Sequence, residues 1–535
     1  MHIPITSGDD ANPFLFCAPR ELAVTDPALV TDAPRGAQES AAPDPRRWLI
    51  LGVIAISQLM LIIDASIMNI ALPSAADDLG IAANDIQWAI TAYTLAFGGL
   101  LLLGGRIADY VGRKRALIIG LLGFAVASAL GGAAQTEALL FAARALQGAF
   151  GALLAPAALA LITVTFTEGR ERAKAFGVFG AISGGGAAIG LLAGGVLTEY
   201  LGWRWCLFVN LPIALFAAVA GVRILKESKA HGDTRFDIPG AILASSGLVA
   251  LVYAFTEAAK QTTGEDGLPQ AVGWTDPLVV GLLAFAAVAL VSFVVLEQRV
   301  KNPLLPLRIA LDRNRGGSYL VFFLVGAGLF SMFLFMTLYF QYVLGYEPLK
   351  AGFAFLPFSI GIILMAGVVA QLLPRVGPKP LMLVGLALAT AGLLLLLRTT
   401  PTSSYVTSVL PGLIVMSVGM SMVFIPASST ALVGVGGHDA GIASALLNTS
   451  QQVGGSLGLA LLNTFAITAT TNKMSDLAAA GQDVTQPGVV AQAQVAGYHV
   501  AFLGGAVLLA LGFVVVLGLI SAKRSDLPAE AAVAA

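Results

Sequence analysis

Apolar runs of membrane-spanning length recur along almost the whole chain, separated by short polar breaks. A helix needs about 20 apolar residues to cross a hydrocarbon core, and in lipid only helices or closed barrels satisfy their own backbone. The pattern predicts fourteen spans, at 48–72, 84–105, 115–133, 137–163, 172–198, 205–224, 237–257, 277–297, 316–342, 349–373, 380–398, 405–432, 440–468 and 498–521. The longer polar stretches fall near 258–276 and 472–497. Pro73 is read as the end of the first span.

Composition agrees. Of 535 residues, 57% are hydrophobic and 11% charged, against roughly 25% charged in an ordinary soluble domain. A net charge of -1 gives nucleic acid nothing to attract. Two cysteines, Cys17 and Cys206, cannot build a disulfide framework. The first 47 residues and the last fourteen, 522–535, read as cytoplasmic tails. Placing the N-terminus inside puts 24 Lys and Arg in cytoplasmic segments and five in outer loops, the asymmetry that orients membrane proteins.

The chemistry narrows the function by exclusion. No Gly-Lys dipeptide occurs, so no P-loop is present. His2, His231, His438 and His499 are scattered, no Ser/His/Asp or Cys/His arrangement stands out, and neither an enzyme nor a metal site is expected. No cofactor is expected either. Charges inside spans are the informative residues, because Asp or Arg at a helix centre costs about 2.5–3.5 kcal/mol on insertion scales. Two stand out, Asp64 in span 1 and Arg144 in span 4. Asp64 lies nine residues before Pro73 and Arg144 eight after Thr136. At about 1.5 Å per residue both sit roughly 12–14 Å below the outer boundary. An acid and a base at one depth suit proton coupling; a static packing pair is the plainer alternative.

Between spans 2 and 3 the chain reads Gly105-Arg106-Ile107-Ala108-Asp109-Tyr110-Val111-Gly112-Arg113-Lys114-Arg115. This resembles the G-x-L-A-D-x-x-G-R-K signature of the major facilitator superfamily. The resemblance implies a cytoplasmic gate latch carried by Gly105, Asp109, Gly112 and Arg113. Asp109 is expected among bases and at the positive N-terminus of span 3. Further motifs resemble the fourteen-helix drug:proton antiporters, the EmrB/QacA-like group: Ile63-Asp64-Ala65-Ser66-Ile67-Met68-Asn69-Ile70-Ala71-Leu72-Pro73, Arg144-Ala145-Leu146-Gln147-Gly148, and Trp203-Arg204-Trp205 running to Asn210-Leu211-Pro212. Span 5 departs from that group: Leu191 stands where its G-P-x-x-G-G signature has proline. Any bend, or simply close packing, then rests on glycines such as Gly190, Gly194 and Gly195, and restoring the proline is expected to be tolerated.

The resemblance implies an all-α polytopic membrane protein of the major facilitator fold, with two six-helix bundles plus two inserted helices. The divisions are 48–224, a linker with two extra helices over 225–315, and 316–521. It also implies proton-driven export of drug-like or antibiotic compounds across the inner membrane, both termini being cytoplasmic. A dedicated exporter of one metabolite or self-made antibiotic, and a non-transporting sensor or scaffold, are the rival readings. For the substrate, which is expected to be a small lipophilic compound, the polar run of span 13 supplies Asn448, Gln451 and Gln452. The aromatic set of span 9 supplies Phe330 and Tyr339. Expected partners are that substrate, protons and lipid; the sequence names no periplasmic adaptor.

Overall fold

The computed structural model describes residues 45–166, 169–229, 237–263, 269–300, 303–433, 435 and 440–526. Most of the expected N-terminal tail (1–44) and of the C-terminal tail (527–535) lies outside the described residues.

Fourteen long helices follow one another: α1 Arg47–Leu79, α2 Trp88–Val111, α3 Arg113–Gly132, α4 Glu137–Thr165, α5 Gly169–Tyr200, α6 Trp205–Ile224, α7 Ile238–Ala259, α8 Pro277–Glu297, α9 Arg313–Val343, α10 Pro348–Val376, α11 Pro378–Leu396, α12 Tyr405–Ala431, α13 Ala440–Ala479 and α14 Pro487–Leu519. Among the described residues thirteen are long and apolar enough to cross a membrane, and α5 is a further helix of 32 residues. One short antiparallel hairpin, Gln261–Thr263 with Pro269–Ala271, follows α7. It occupies the polar stretch that the hydropathy pattern leaves as a loop. Successive helices run in opposite directions. One end of the bundle therefore carries the 105–115 turn, here the motif end, and the other carries the hairpin, here the hairpin end.

Local chemistry sets the boundaries. Thr136 caps α4 through Oγ1 to the Leu139 amide at 3.3 Å, and Asp312 caps α9 at the Asn314 and Arg315 amides. Pro348, Pro378 and Pro487 open α10, α11 and α14, where a missing N–H costs nothing. Gly80 ends α1 at a φ of 67°, left-handed backbone that suits glycine.

Three boundaries are instructive where they differ from the pattern reading. Pro73 lies inside α1, which runs on to Leu79. Nearby carbonyls find other donors: Ile70 accepts from Gln341 Nε2 at 2.9 Å and Pro73 from the Tyr342 hydroxyl at 3.3 Å. Likewise α13 extends to Ala479 and α14 begins at Pro487, so most of 472–497 is helix. Polar composition misled there, because a helix projecting past the apolar core keeps its own hydrogen bonds and needs no apolar surface.

The packing repeats. In the first six helices α2 pairs with α4, α3 with α4, α1 with α5, α3 with α6 and α1 with α6. Eight helices later the same partners recur: α10 with α12, α11 with α12, α9 with α13, α11 with α14 and α9 with α14. The two six-helix bundles meet along two matched seams, α2 with α13 and α5 with α10. The inserted α7 and α8 pack on each other, and α7 touches both α2 and α13. Gln87 Nε2 donates to Thr256 Oγ1 at 2.9 Å and Thr464 Oγ1 to the Phe255 carbonyl at 2.7 Å.

Candidate functional site

Small residues let the first bundle close around its charges. A Cβ at Gly148 of α4 would strike the Tyr93 carbonyl of α2, so only glycine admits this approach. It brings Arg144, one turn earlier on α4, against α2 and α1. Arg144 Nη1 donates to Asp64 Oδ2 at 2.7 Å and to Gln147 Oε1 at 2.9 Å, and its Nε donates to the Ala89 carbonyl at 2.9 Å. The guanidinium lies over the Tyr93 ring, 4.4 Å from its centroid.

Asp64 Oδ1 accepts from Gln147 Nε2 at 2.9 Å and from Asn210 Nδ2 at 2.8 Å. Ser128 Oγ accepts from the same two amides, at 2.8 and 3.4 Å. Asp64, Gln147, Asn210 and Ser128 are fully buried and Arg144 is 1% exposed. Side chains of α4 and α6 thus bond one carboxylate on α1, and side chains of α2 and α3 contact its donors. A carboxylate oxygen has two lone-pair positions. Both are taken on Oδ1, while Oδ2 has one donor and one position open. A proton arriving at Oδ2 turns an acceptor into a donor and sets it against Arg144. Asn210 Oδ1 is a buried acceptor without a partner, so a hydroxyl on Asp64 would have one nearby.

Asp64 and Arg144 meet as the depth argument expects, although Pro73 is not the helix end from which that depth was reckoned. Sequence reasoning gave no role to Gln147, Asn210, Ser128 or Tyr93. Gln147 and Asn210 carried a signal, since both are amides inside quoted motifs and costly in lipid. Ser128, in an Ala-rich helix, carried none.

At the motif end Arg113 Nε and Nη2 donate to Asp109 Oδ1 at 3.1 and 3.0 Å. The N-terminus of α3 is taken by Glu227 rather than Asp109: its carboxylate accepts from the Lys114 and Arg115 amides at 3.1 and 3.3 Å. Gly112, at a φ of 117°, faces that carboxylate, and a Cβ there would collide with it. A Cβ at Gly105 would make only ordinary contact with Pro156.

On α5, Gly190 and Gly194 lie against the backbone of α1 at Ile63 and Ile67, and Gly195 against Leu349 of α10. Leu191 is 1% exposed. These glycines serve close packing. A proline at 191 would lose a helical hydrogen bond and clash one turn back, so the expectation that it is tolerated is revised.

Of the residues expected at the substrate, Asn448 is exposed, its amide donating to the Ser444 carbonyl at 3.1 Å. Gln451 and Gln452 are half-buried on α13. A Cβ at Gly98 of α2 would meet Gln452, and Gln452 Oε1 has no partner. Phe330 is half-buried over Gly455. Tyr339 is fully buried and donates to the Thr400 carbonyl at 2.8 Å.

Hydrogen bonds described between the bundles cluster toward the hairpin end. They join Thr94 to Ser456 at 2.5 Å, Tyr342 to Asp77 at 2.9 Å, Gln341 to Ile70, and the Leu349 amide to Glu199 at 3.1 Å.

Two bundles with one wiring, meeting at a pair of matched seams and one of the bundles enclosing a buried ion pair, define the architecture of a secondary transporter. The chain belongs to the Major Facilitator Superfamily, whose family model matches residues 54–459. It is 50% identical over 480 residues to the puromycin resistance protein pur8 of Streptomyces alboniger, covering 88% of this chain and 92% of that one. It is 38% identical over 427 residues to the cephamycin export protein CmcT of Amycolatopsis lactamdurans, covering 79% and 85%. Among solved structures, a bacterial homolog of the human lysosomal transporter Spinster, inward-facing and occupied, matches with a TM-score of 0.63 at 13% identity. That match covers 91% of this chain and 99% of the other, and bears on the fold alone.

Proposed function

We propose that this protein exports lipophilic antibiotic-like compounds from a bacterial cell in exchange for protons. The observation that carries the coupling is the Asp64 carboxylate, held by three side-chain donors inside a bundle. A charge so costly to bury is replaceable by apolar residues unless its charge does something. The Lys and Arg asymmetry supports a motif end in the cytoplasm, with both termini there, and an inner-membrane location. Contacts clustered at the hairpin end then correspond to a state closed outward. Asp109 and Arg113 would latch the cytoplasmic end in the opposite state, and Asn448, Gln451, Gln452 and Phe330 would face the substrate between the bundles.

In this mechanism substrate enters from the cytoplasm while Asp64 is charged and paired with Arg144. A proton reaching Oδ2 from outside breaks that pair, the Asn210 amide reorients to accept from the new hydroxyl, and Arg144 keeps its Ala89, Gln147 and Tyr93 contacts. Loss of the proton inward restores the pair and resets the cycle. The purified protein in liposomes, given a pH gradient, should move puromycin against its concentration, and dissipating the gradient should stop it. Movement unaffected by the gradient would sink the coupling. A second reading, export of one compound only, is favoured by relatives named for single antibiotics, puromycin and cephamycin. A panel of unrelated drugs separates the two.

A further inference from the structure

We infer a second ligand site at the hairpin end of the boundary between the bundles, separate from the Asp64 network. It takes one aromatic ring system of a lipophilic compound that carries both a hydrogen-bond donor and an acceptor. The inference rests on the export reading and names a further place where exported compounds bind.

The site is a cavity of about 330 Å³, at the low end of the range for small-molecule pockets and large enough for a ring system. Its walls come from both bundles: Ala76 of α1 and the Ile81–Ile86 turn on one side, and α9, α13 and α14 on the other. Most of the wall is apolar or aromatic, with Phe335 and Tyr498 in mutual ring contact at 5.7 Å. Into this wall are set Asn463, 2% exposed, and Tyr498, 7% exposed. The Asn463 amide nitrogen has no hydrogen-bond partner.

Buried amides are almost always paired, so the unpaired Asn463 amide lining an apolar cavity needs an account. A packing role fails: leucine and phenylalanine would fill the same volumes without the desolvation cost. A bound compound supplies the missing partner. The carboxamide can offer either atom after rotation and the hydroxyl can donate or accept, which sets the two-sided polarity of the ligand. Tyr342 also lines the cavity while donating to Asp77 across the boundary. An occupant would therefore touch a residue that fastens the hairpin end shut, as expected for a stop reached before release.

The test uses the purified full-length protein in detergent and an aryl-azide derivative of puromycin as photolabel, with labelled peptides read by mass spectrometry. Label should fall on peptides covering 81–86 or 463–498. Ala83→Trp, at an exposed wall position of the turn, should cut that labelling at least about tenfold and leave the thermal midpoint unchanged. Asn463→Leu should cut it about tenfold, the change expected for about 1.4 kcal/mol, with a thermal midpoint equal to or above the parent. Label confined to peptides covering Gln452, or untouched by Ala83→Trp, overturns the site. So does a fall in the midpoint of Asn463→Leu, which marks its amide as structural. Labelling needs no transport. Correct labelling without puromycin export refutes the export reading alone, and export with label elsewhere refutes this site alone.

Discussion

Replacing Asp64 by asparagine separates charge from shape. The new side chain keeps the volume. Its oxygen can still accept from Gln147 and Asn210, but its amide then faces Arg144 donor to donor. Arg144 retains the Ala89 carbonyl, Gln147 Oε1 and the Tyr93 face. The cost is therefore that of one charge-assisted hydrogen bond, about 1.5–3 kcal/mol, below the roughly 3–5 kcal/mol of a fully orphaned buried charge. Folded protein should reach the membrane in reduced amount. The functional effect is larger. One pH unit is worth about 1.4 kcal/mol per proton, so a one-proton exchanger sustains about a tenfold substrate gradient. In liposomes with an imposed pH gradient, the parent should approach that ratio and Asp64→Asn should stay near one, while substrate-for-substrate counterflow persists. Asp64→Leu removes the acceptors altogether and should fail in counterflow too. If Asp64→Asn still builds a tenfold gradient at the parental rate, the proton travels by another route and the reasoning is wrong.

Four other expectations follow from the structure. Asp109→Asn should leave membrane abundance unchanged, because exposed ion pairs contribute little, yet slow turnover; parental rates at equal abundance would remove the latch role. Asp312→Ala should lower stability by about 1 kcal/mol through loss of the α9 cap. The side-chain bond from Arg315 holds the Asp312 carboxyl below its usual range, so its contribution is present above about pH 4 and is lost as pH falls further; equal losses at pH 3.5 and pH 7 in thermal melts would contradict this. Gln482→Cys, in the short break between α13 and α14, should react with an impermeant thiol reagent outside intact cells, and reaction only after lysis would invert the assigned orientation. Leu191→Pro should cost about 3 kcal/mol and deplete membrane protein, whereas normal abundance would show that α5 can bend.

How legible each part was depended on what each residue must satisfy. Spans were readable because lipid leaves a helix no other way to bond its backbone, and every span from Trp48 onward lies on a long helix. Their ends were not, because Pro73 and the 487–497 segment look like breaks only if nothing else meets the backbone, and contacts such as Gln341 to Ile70 lie far apart in sequence. The buried acid and base were conspicuous by cost. The amides around them were not, because Gln147 or Asn210 inside a helix can equally face a seam or water. Glu227 was invisible as the α3 cap, since it lies 113 residues from the amide it meets. Phe330 and Tyr339 looked alike in sequence, but about two and a half turns of helix separate a ring half-buried over Gly455 from one buried with its hydroxyl satisfied.

The two bundles share their wiring but not their chemistry. Each partner in the first has a counterpart eight helices later, yet the buried carboxylate with its converging donors belongs to the first alone among the described residues. On the proposed coupling, a proton event there reaches the second bundle through elements that touch both, and α1 is one of them. Asp64 sits on it, and six to thirteen residues further along the same helix Ile70, Pro73 and Asp77 receive Gln341 and Tyr342 from α9. At about 1.5 Å per residue that separation is roughly 9–20 Å of a single rigid element. Pro73 lies within this stretch and removes one bond of the helical ladder there. When Arg144 lets go of Asp64, the restraint on α1 weakens on the side of the first bundle, while its far end remains tied to the second. A helix held at both ends and weakened between them can shift at one end without unfolding. The shift would alter the Tyr342 and Gln341 contacts at the hairpin end, so the protonation state of Asp64 would bias which end is open. Coupling of this kind is a property of one helix and its two attachments, so the Tyr342→Phe and Asp64→Asn effects on the closed state should not add. Simple additivity in a double-mutant cycle would mean that the proton site and the closed end do not communicate through α1.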